Sequence, residues 1–288
     1  MQLSDNALAI AKDRYFINDE EDWEGLSKRV GREIGRVESD PSWIDKFSQI
    51  IYDMEFLPGG RILRNAGRGK GSLHNCYLLP CGDSIEEIGQ WIKESLILWS
   101  EGGGCGVNIS RLRPRGAEIK TKGGHSSGSV SFLEASSAVA DTIESGGGRR
   151  AAALALLDVG HPDIEEFIDA KLKHGRLQNY NISVGVTEEF IAAVEQDEQW
   201  DLKFAHKTYK TVSARYLWDK IVTNMAKSAE PGLVNLDKMK SNNAYFCDPP
   251  EGFNPCFSGD TVVYVADGRR HVSIKKLTEE GKDVPVFS

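Results

Sequence analysis

The residues with the most chemistry available to them are five cysteines, at positions 76, 81, 105, 247 and 256 of a 288-residue chain. Their number is odd and no two stand in a C-x-x-C pair, which argues against a disulfide scaffold and a structural zinc site. No metal site is expected, and any disulfide should be redox-active. Phosphate chemistry is the second possibility. In EGGGCGVNISRLRPRGAEIKTKGG the glycines free backbone N–H groups and Arg111, Arg113, Arg115, Lys120 and Lys122 supply positive charge. Alone, such a loop is a weak phosphate signal. Arg149 and Arg150 read either as solvated charges or, set in glycine and alanine, as a pair suited to stacking on a nucleotide. His161 precedes Pro162 and Asp163, where a helix can start, so it reads as a cap or turn residue rather than a catalytic base.

Composition narrows the class of function. With 40% hydrophobic and 27% charged residues the chain is ordinary and globular, long enough for one large domain or two smaller ones. A net charge of −8 gives no basic footprint for duplex nucleic acid, so a bound nucleotide should be a small ligand held by local groups. The N-terminus carries charge too early for a signal peptide, and AAALALL is too short to span a bilayer; no membrane partner and a cytoplasmic protein are expected.

The elements that must position these residues follow from periodicity. Trp23, Leu26, Val30, Ile34 and Val37, then Trp43, Phe47, Ile50 and Met54, recur at helical steps. A glycine-dense loop then feeds a buried strand around Cys76. Asp83 or Ser84 caps a helix, with Glu86 or Glu87 closing a capping box and Ile85, Ile88, Trp91, Ile92, Leu96 and Trp99 on its apolar face. SVSFLEASSAVADTI is a helix, NYNISVGV a strand, TEEFIAAVEQ a helix, WDLKF a strand, and SARYLWDKIVTNMAKSAEPG a helix ended by Pro231-Gly232. Strands alternating with helices give an α/β fold. TVVYVADGRRHVSI reads as a hairpin turning at Asp267-Gly268. In that local context Cys76 reads as a core thiol and Cys256 as a buried thiol before an ordinary hairpin.

Taken together, FLPGGRILRNAGRGKGSLHNCYLLPCGDS, GGGCGVNISRLRPRG, GGGRRAA and FNPC resemble the N-terminal part of the ribonucleotide reductase catalytic subunit. The resemblance covers nearly all of residues 1–255. It implies an N-terminal helical region (1–57), too short for a regulatory ATP-cone, and the first half of a ten-stranded α/β barrel (58–255). It makes Cys76 one of two cysteines that reduce the ribose, with Cys81 and Cys105 as packing residues. Gly60 and Arg61 bind substrate, Asn254 hydrogen-bonds the ribose, and the residue after Pro255 is the radical cysteine. Asp83, Ser84, Arg111, Arg113 and Lys120 bind a deoxynucleoside triphosphate effector with magnesium. The first specificity loop is 113–124 and the second is 146–153, with Gly147, Arg149 and Arg150.

The stretch 252–263, GFNPCFSGDTVV, carries a second resemblance. Where the reductase would continue NPCGE, the chain reads CFSGDTVV, similar to the opening of an intein, so 256–288 is expected to be the N-terminal fragment of an intein of HINT-type fold. Cys256 would attack the carbonyl of Pro255, forming a thioester. The implied function is ribonucleotide reduction by a thiyl radical after splicing to a C-terminal half that carries the remaining intein. The NPC form implies adenosylcobalamin as cofactor, bound mainly by that other half. Expected partners are the ribonucleotide, the effector, a second copy in a homodimer, and an external thiol reductant such as thioredoxin. The alternatives are a non-catalytic effector-binding fragment and a piece of a one-piece intein-containing reductase.

Overall fold

The computed structural model describes residues 3–17, 20–120, 123–145, 149–172, 175–241, 252, 262–265, 269–273, 276, 277 and 280. Two compact units are present, one comprising Met1–Asn75 and Pro255–Ser288, the other Cys76–Asn254.

The first unit opens with helices α1 (Asp5–Arg14), α2 (Trp23–Gly35), α3 (Ser42–Tyr52) and α4 (Gly60–Asn65). Ser4 and Asp22 start the first two by accepting from the N–H groups of Ala7 and Gly25, which the helix leaves unbonded. The 3.6-residue stripe of α2 buries Trp23, Leu26 and Val30 against Ile51, Leu63 and Ala66, and the Trp23 indole donates to the Ile51 carbonyl at 3.2 Å. The stripe stops sooner than its spacing predicts: α2 ends at Gly35, and Val37, past the helix, is 79% exposed.

The second unit is built on a five-stranded parallel sheet. In chain order it runs β1 (Cys76–Leu79), α5 (Ile85–Ser100), β2 (Gly104–Asn108), α6 (Ser129–Ala140), β3 (Glu144–Ser145), β4 (Arg149–Arg150), β5 (Ala152–Asp158) and α7 (Ile164–Asp169). It continues with β6 (Tyr180–Val186), α8 (Glu188–Glu195), β7 (Gln199–Phe204), β8 (Lys207–Ser213), α9 (Ala214–Ser228), β9 (Gly232–Asn235) and α10 (Leu236–Ser241). The sheet order is β1-β2-β5-β6-β9, so each crossover adds the next strand on the same side. That one-way winding builds barrels, whereas a doubly wound sheet reverses its order. Strand β5, ALALL at its heart, is continuous in apolar residues because helices cover a parallel sheet on its faces; Leu154, Leu156 and Leu157 are fully buried, each stabilising by about 1.5–3 kcal/mol. Strands β7 and β8 pair with each other as a separate antiparallel hairpin, and β3 pairs with β4.

Three sequence expectations are corrected here. Cys76 is exposed rather than buried: among the described residues β1 is the outermost strand of the sheet, and only Leu79, at its other end, is buried. On α5 the buried face is Ile88, Trp91, Ser95 and Trp99, while Ile85, the first helical residue, is 61% exposed. Helix α9 ends before Pro231, because Ala229 takes a left-handed φ of 60° and closes the last turn through its N–H to the Met225 carbonyl.

At the C-terminal end, β10 (Val262–Val265) pairs antiparallel with β11 (Arg270–Ser273), the expected hairpin. Its turn residues, Asp267 and Gly268, lie outside the described residues.

Candidate functional site

In the second unit, parallel register sets Cys76, the first residue of β1, beside Gly104 of β2, which in turn faces Ala152 of β5. Cys105 lies one step along β2, buried, its thiol pushed up to about 12 by burial and by the neighbouring Cys76. Cys81 is also buried and is pushed up to about 12 by burial and by the charges of Glu87 and Asp83. Of these three thiols only Cys76 is exposed. The chain returns to this strand further on: Gly252 lies so close to β1 and β2 that a Cβ there would come within 2.8 Å of Leu78 Cδ1 and 3.7 Å of Asn108 Cβ. Asn254, Pro255 and Cys256, just beyond it, lie outside the described residues, as do Gly147 and Lys122.

The turn after β1 brings together residues 30 positions apart. Ser84 caps α5 in the expected capping box, its hydroxyl accepting from Glu87 N–H at 3.1 Å while the Glu87 carboxylate accepts from Ser84 N–H at 3.2 Å. Asp83 turns the other way. Its carboxylate accepts from Arg113 N–H at 2.8 Å and from Arg113 Nε at 2.9 Å, fixing the start of the cation-rich loop. Arg111 and Lys120 are exposed on that loop. Arg115, expected to offer charge to phosphate, is instead held by Glu166 in a two-pronged pair at 3.1 and 3.0 Å, and its guanidinium is pushed up by that carboxylate.

The base of the loop rests on a residue whose role its sequence position hides. Asp163 sits at the start of α7 but makes no cap bond to it. Its buried carboxylate accepts from Arg115 N–H at 3.0 Å and from both Ser129 N–H and Ser129 Oγ at 2.9 Å, so it caps α6 from across the fold. Gly128 makes this approach possible: with φ +94°, an added Cβ would lie 3.0 Å from Asp163 Oδ2 and 2.9 Å from Arg115 Cβ. His161 completes the corner as a turn residue. Its Nδ1 accepts from Asp163 N–H at 3.0 Å, which leaves Nε2 to carry the proton and donate to the Leu112 carbonyl at 2.9 Å. Burial holds this neutral imidazole below its ordinary value. The only sequence sign of the cluster is the density of acidic residues in HPDIEE; their partners at 115 and 129 come from loop closure.

Arg149 and Arg150 form β4, paired in register with Ser145 and Glu144 of β3, on either side of the second glycine run. Gly60 and Arg61 belong to the first unit, at the start of α4. Arg61 is buried and its N–H donates to Asn75 Oδ1 at 3.0 Å. At the other end of α4 the buried Arg29 guanidinium donates to the carbonyls of Leu63, at 2.9 Å, and Ala66, while Glu20 neutralises it at 2.5 Å.

Fold and site together define a class: an α/β protein with a separate helical domain, an exposed cysteine opening the outermost described strand, and a glycine-rich cationic loop pinned by Asp83 and Asp163. Residues 1–71 match the all-alpha domain of ribonucleotide reductase, and residues 74–257 match its barrel domain. The chain belongs to the ribonucleotide reductase family. It is 35% identical over 246 residues to a vitamin B12-dependent ribonucleoside-diphosphate reductase of Thermoplasma acidophilum, covering 84% of this chain and 32% of that protein. To the enzyme so named in Mycobacterium tuberculosis it is 33% identical over 298 positions, covering 98% of this chain and 43% of that protein. A reductase alpha subunit of Bacillus subtilis is 26% identical over 247 residues. The chain thus spans less than half the length of these relatives. No helix among the described residues is long and apolar enough to cross a membrane.

Proposed function

We propose that the chain is the N-terminal part of an adenosylcobalamin-dependent ribonucleotide reductase and supplies one reducing thiol, Cys76, and the effector-binding loops. The observation that carries this is the exposed thiol at the head of β1, a strand whose Leu78 lies against the backbone at Gly252, two residues before Asn254-Pro255-Cys256 in the sequence. Relatives named vitamin B12-dependent support the cofactor. When bound, that cofactor supplies the radical that starts the reaction. Among the described residues His161 is a poor cobalt ligand, because both its ring nitrogens are taken by the fold. Cys76 gives up hydrogen to the ribose and is oxidised to a disulfide with a thiol from the C-terminal half, which an external thiol reductant such as thioredoxin reduces. Asp83, Ser84, Arg111, Arg113 and Lys120 receive a deoxynucleoside triphosphate with magnesium, the loop of Gly147, Arg149 and Arg150 relays it to the substrate base, and Gly60 and Arg61 hold the substrate in a homodimer.

In this reading residues 256–288 are an intein fragment that leaves when the chain is joined to its C-terminal half. It is supported by the GDTVV motif, by the β10–β11 hairpin and by the end of the barrel match at residue 257. A second reading keeps Cys256 as the reductase's own radical cysteine. The alignment with the Mycobacterium tuberculosis reductase favours it, since a match over 98% of the chain runs past that position. Intact mass spectrometry separates the two. Mixed with a polypeptide carrying the remaining intein and the second reductase half, the chain should lose 256–288 and gain the partner's C-terminal mass, and Cys256→Ala should abolish this. Absence of ligation with every cognate half, or ligation that survives the substitution, selects the second reading.

A further inference from the structure

Helix α6 stands between two parts of the site. The cation-rich loop runs into it: the loop is closed on itself by Ser126 N–H donating to the Ala117 carbonyl at 2.8 Å and Ile119 N–H to the Gly124 carbonyl at 3.0 Å, and Ser129 then opens the helix. The β3–β4 pair leaves its other end, where Ala140 closes the helix and Glu144 opens β3. Twelve helical residues put the two about 18 Å apart.

Val130 and Leu133 anchor α6 in the core, but its other side chains are mostly small, and polar bonds along its length fix its register. Four side chains between Asp163 and Tyr180 supply them. At the first turn Asp163 accepts from Ser129 N–H and Oγ, both at 2.9 Å. Midway, Arg176 pairs with Glu134 and, at 3.5 Å, with Glu166, which also holds Arg115 of the loop. The Ser136 and Tyr180 hydroxyls, on fully buried residues, lie 2.7 Å apart. At the C-cap Asn179 Nδ2 donates to Asp141 Oδ1 at 2.5 Å. Sliding the helix would break these bonds together and leave buried polar groups unbonded, so it is held in one seat. We propose that α6 moves as one body with the residues that clamp it and couples the cation-rich loop to the β3–β4 pair, with Arg176 and Asn179 as positioning residues. A ligand that shifts the loop then shifts β3 and β4 by way of the helix, without touching them. For its role in a reductase this rests on reading the two as the effector and specificity loops; the coupling itself does not.

The experiment is hydrogen–deuterium exchange of the full 288-residue chain without nucleotide, read by mass spectrometry in peptides covering 113–126, β3 with β4, and, as a control in the same unit, α8. Coupling is reciprocal, so it shows from either end. Asn179→Ala, at the C-terminal end of α6, should speed exchange in 113–126 at least about threefold, and Asp163→Asn, at the other end, should do the same in β3 and β4, with α8 unchanged in both. Arg176→Ala should speed both regions, and Arg176→Lys, which keeps the charge pair with Glu134, at most about half as much; these two serve if Asp163→Asn does not fold. Changes confined to the substituted end, or equal acceleration of α8, would overturn the proposal. Added dTTP with magnesium should slow exchange in β3 and β4 of the wild type, and at least about twofold less in Asn179→Ala; dTTP binding without that slowing would overturn the coupling's part in the reductase. No dTTP binding at all would count against the effector reading, with the coupling still decided by the nucleotide-free comparison.

Discussion

Replacing Asp163 tests whether the cation-rich loop is held by one buried carboxylate. In Asp163→Ala, three donors lose their acceptor at once: Arg115 N–H, Ser129 N–H and Ser129 Oγ, all within 3.0 Å of it. The N-terminus of α6 loses its cap in the same step, a loss of about 1 kcal/mol by itself. Hydrogen bonds to a charged acceptor contribute about 1.5–3 kcal/mol each, but the three share one group and relaxation will rehydrate some of them. We therefore expect a loss of about 3–5 kcal/mol for alanine and about half that for asparagine, which keeps one oxygen in place. That is a large share of a domain's roughly 5–15 kcal/mol. Urea unfolding of the purified chain, read by circular dichroism with the m-value fitted freely, measures it. The internal control is Glu166→Gln, which weakens the partly exposed pairs of Glu166 with Arg115, at 3.0 Å, and with Arg176, at 3.5 Å, and should cost less than about 1 kcal/mol. Alanine at 163 costing under 1 kcal/mol, or no more than the glutamine control, would refute the reasoning.

The other expectations concern thiols, a glycine and a histidine. Brief alkylation with iodoacetamide at neutral pH, read by peptide mapping, should modify Cys76 at least about a hundredfold faster than Cys81 or Cys105, whose burial holds both thiols near 12; comparable rates at Cys81 would show that the turn opens. Gly128→Ala forces a side chain into a left-handed backbone and against Arg115 and Asp163, and should cost about 2–3 kcal/mol in the same unfolding assay. His161 gives a pH dependence. Its folded form resists protonation, so below the ordinary value of 6.5 the unfolded chain binds the extra proton and stability falls as pH falls; above it His161 contributes no slope. Between pH 6.5 and 5 the wild type should lose stability more steeply than His161→Asn, by up to about 1.4 kcal/mol per pH unit; identical slopes would place the proton uptake elsewhere.

The sequence alone determined whatever depends on neighbours in the chain. The capping box at Ser84 and Glu87, the helical stripe from Trp23 to Val30 and the α/β alternation are local patterns, set by backbone hydrogen-bonding needs and side-chain periodicity, and the structure keeps them. The strings around Cys76 and Cys105, with GGGRRAA and FNPC, carried the resemblance to the reductase family. Tertiary structure decided what depends on distant partners. Cys76 looked buried because its neighbours in sequence are apolar, yet exposure is set by how many strands flank it, and β1 is the outermost strand among the described residues. Arg115 looked available for phosphate until loop closure brought Glu166, 51 residues away, to its guanidinium. Asp163 read as a first-turn residue of its own helix, whereas its carboxylate serves another helix 34 residues back. A side chain's partner across the fold is fixed by packing of the whole sheet and its crossovers, and no local spacing records it.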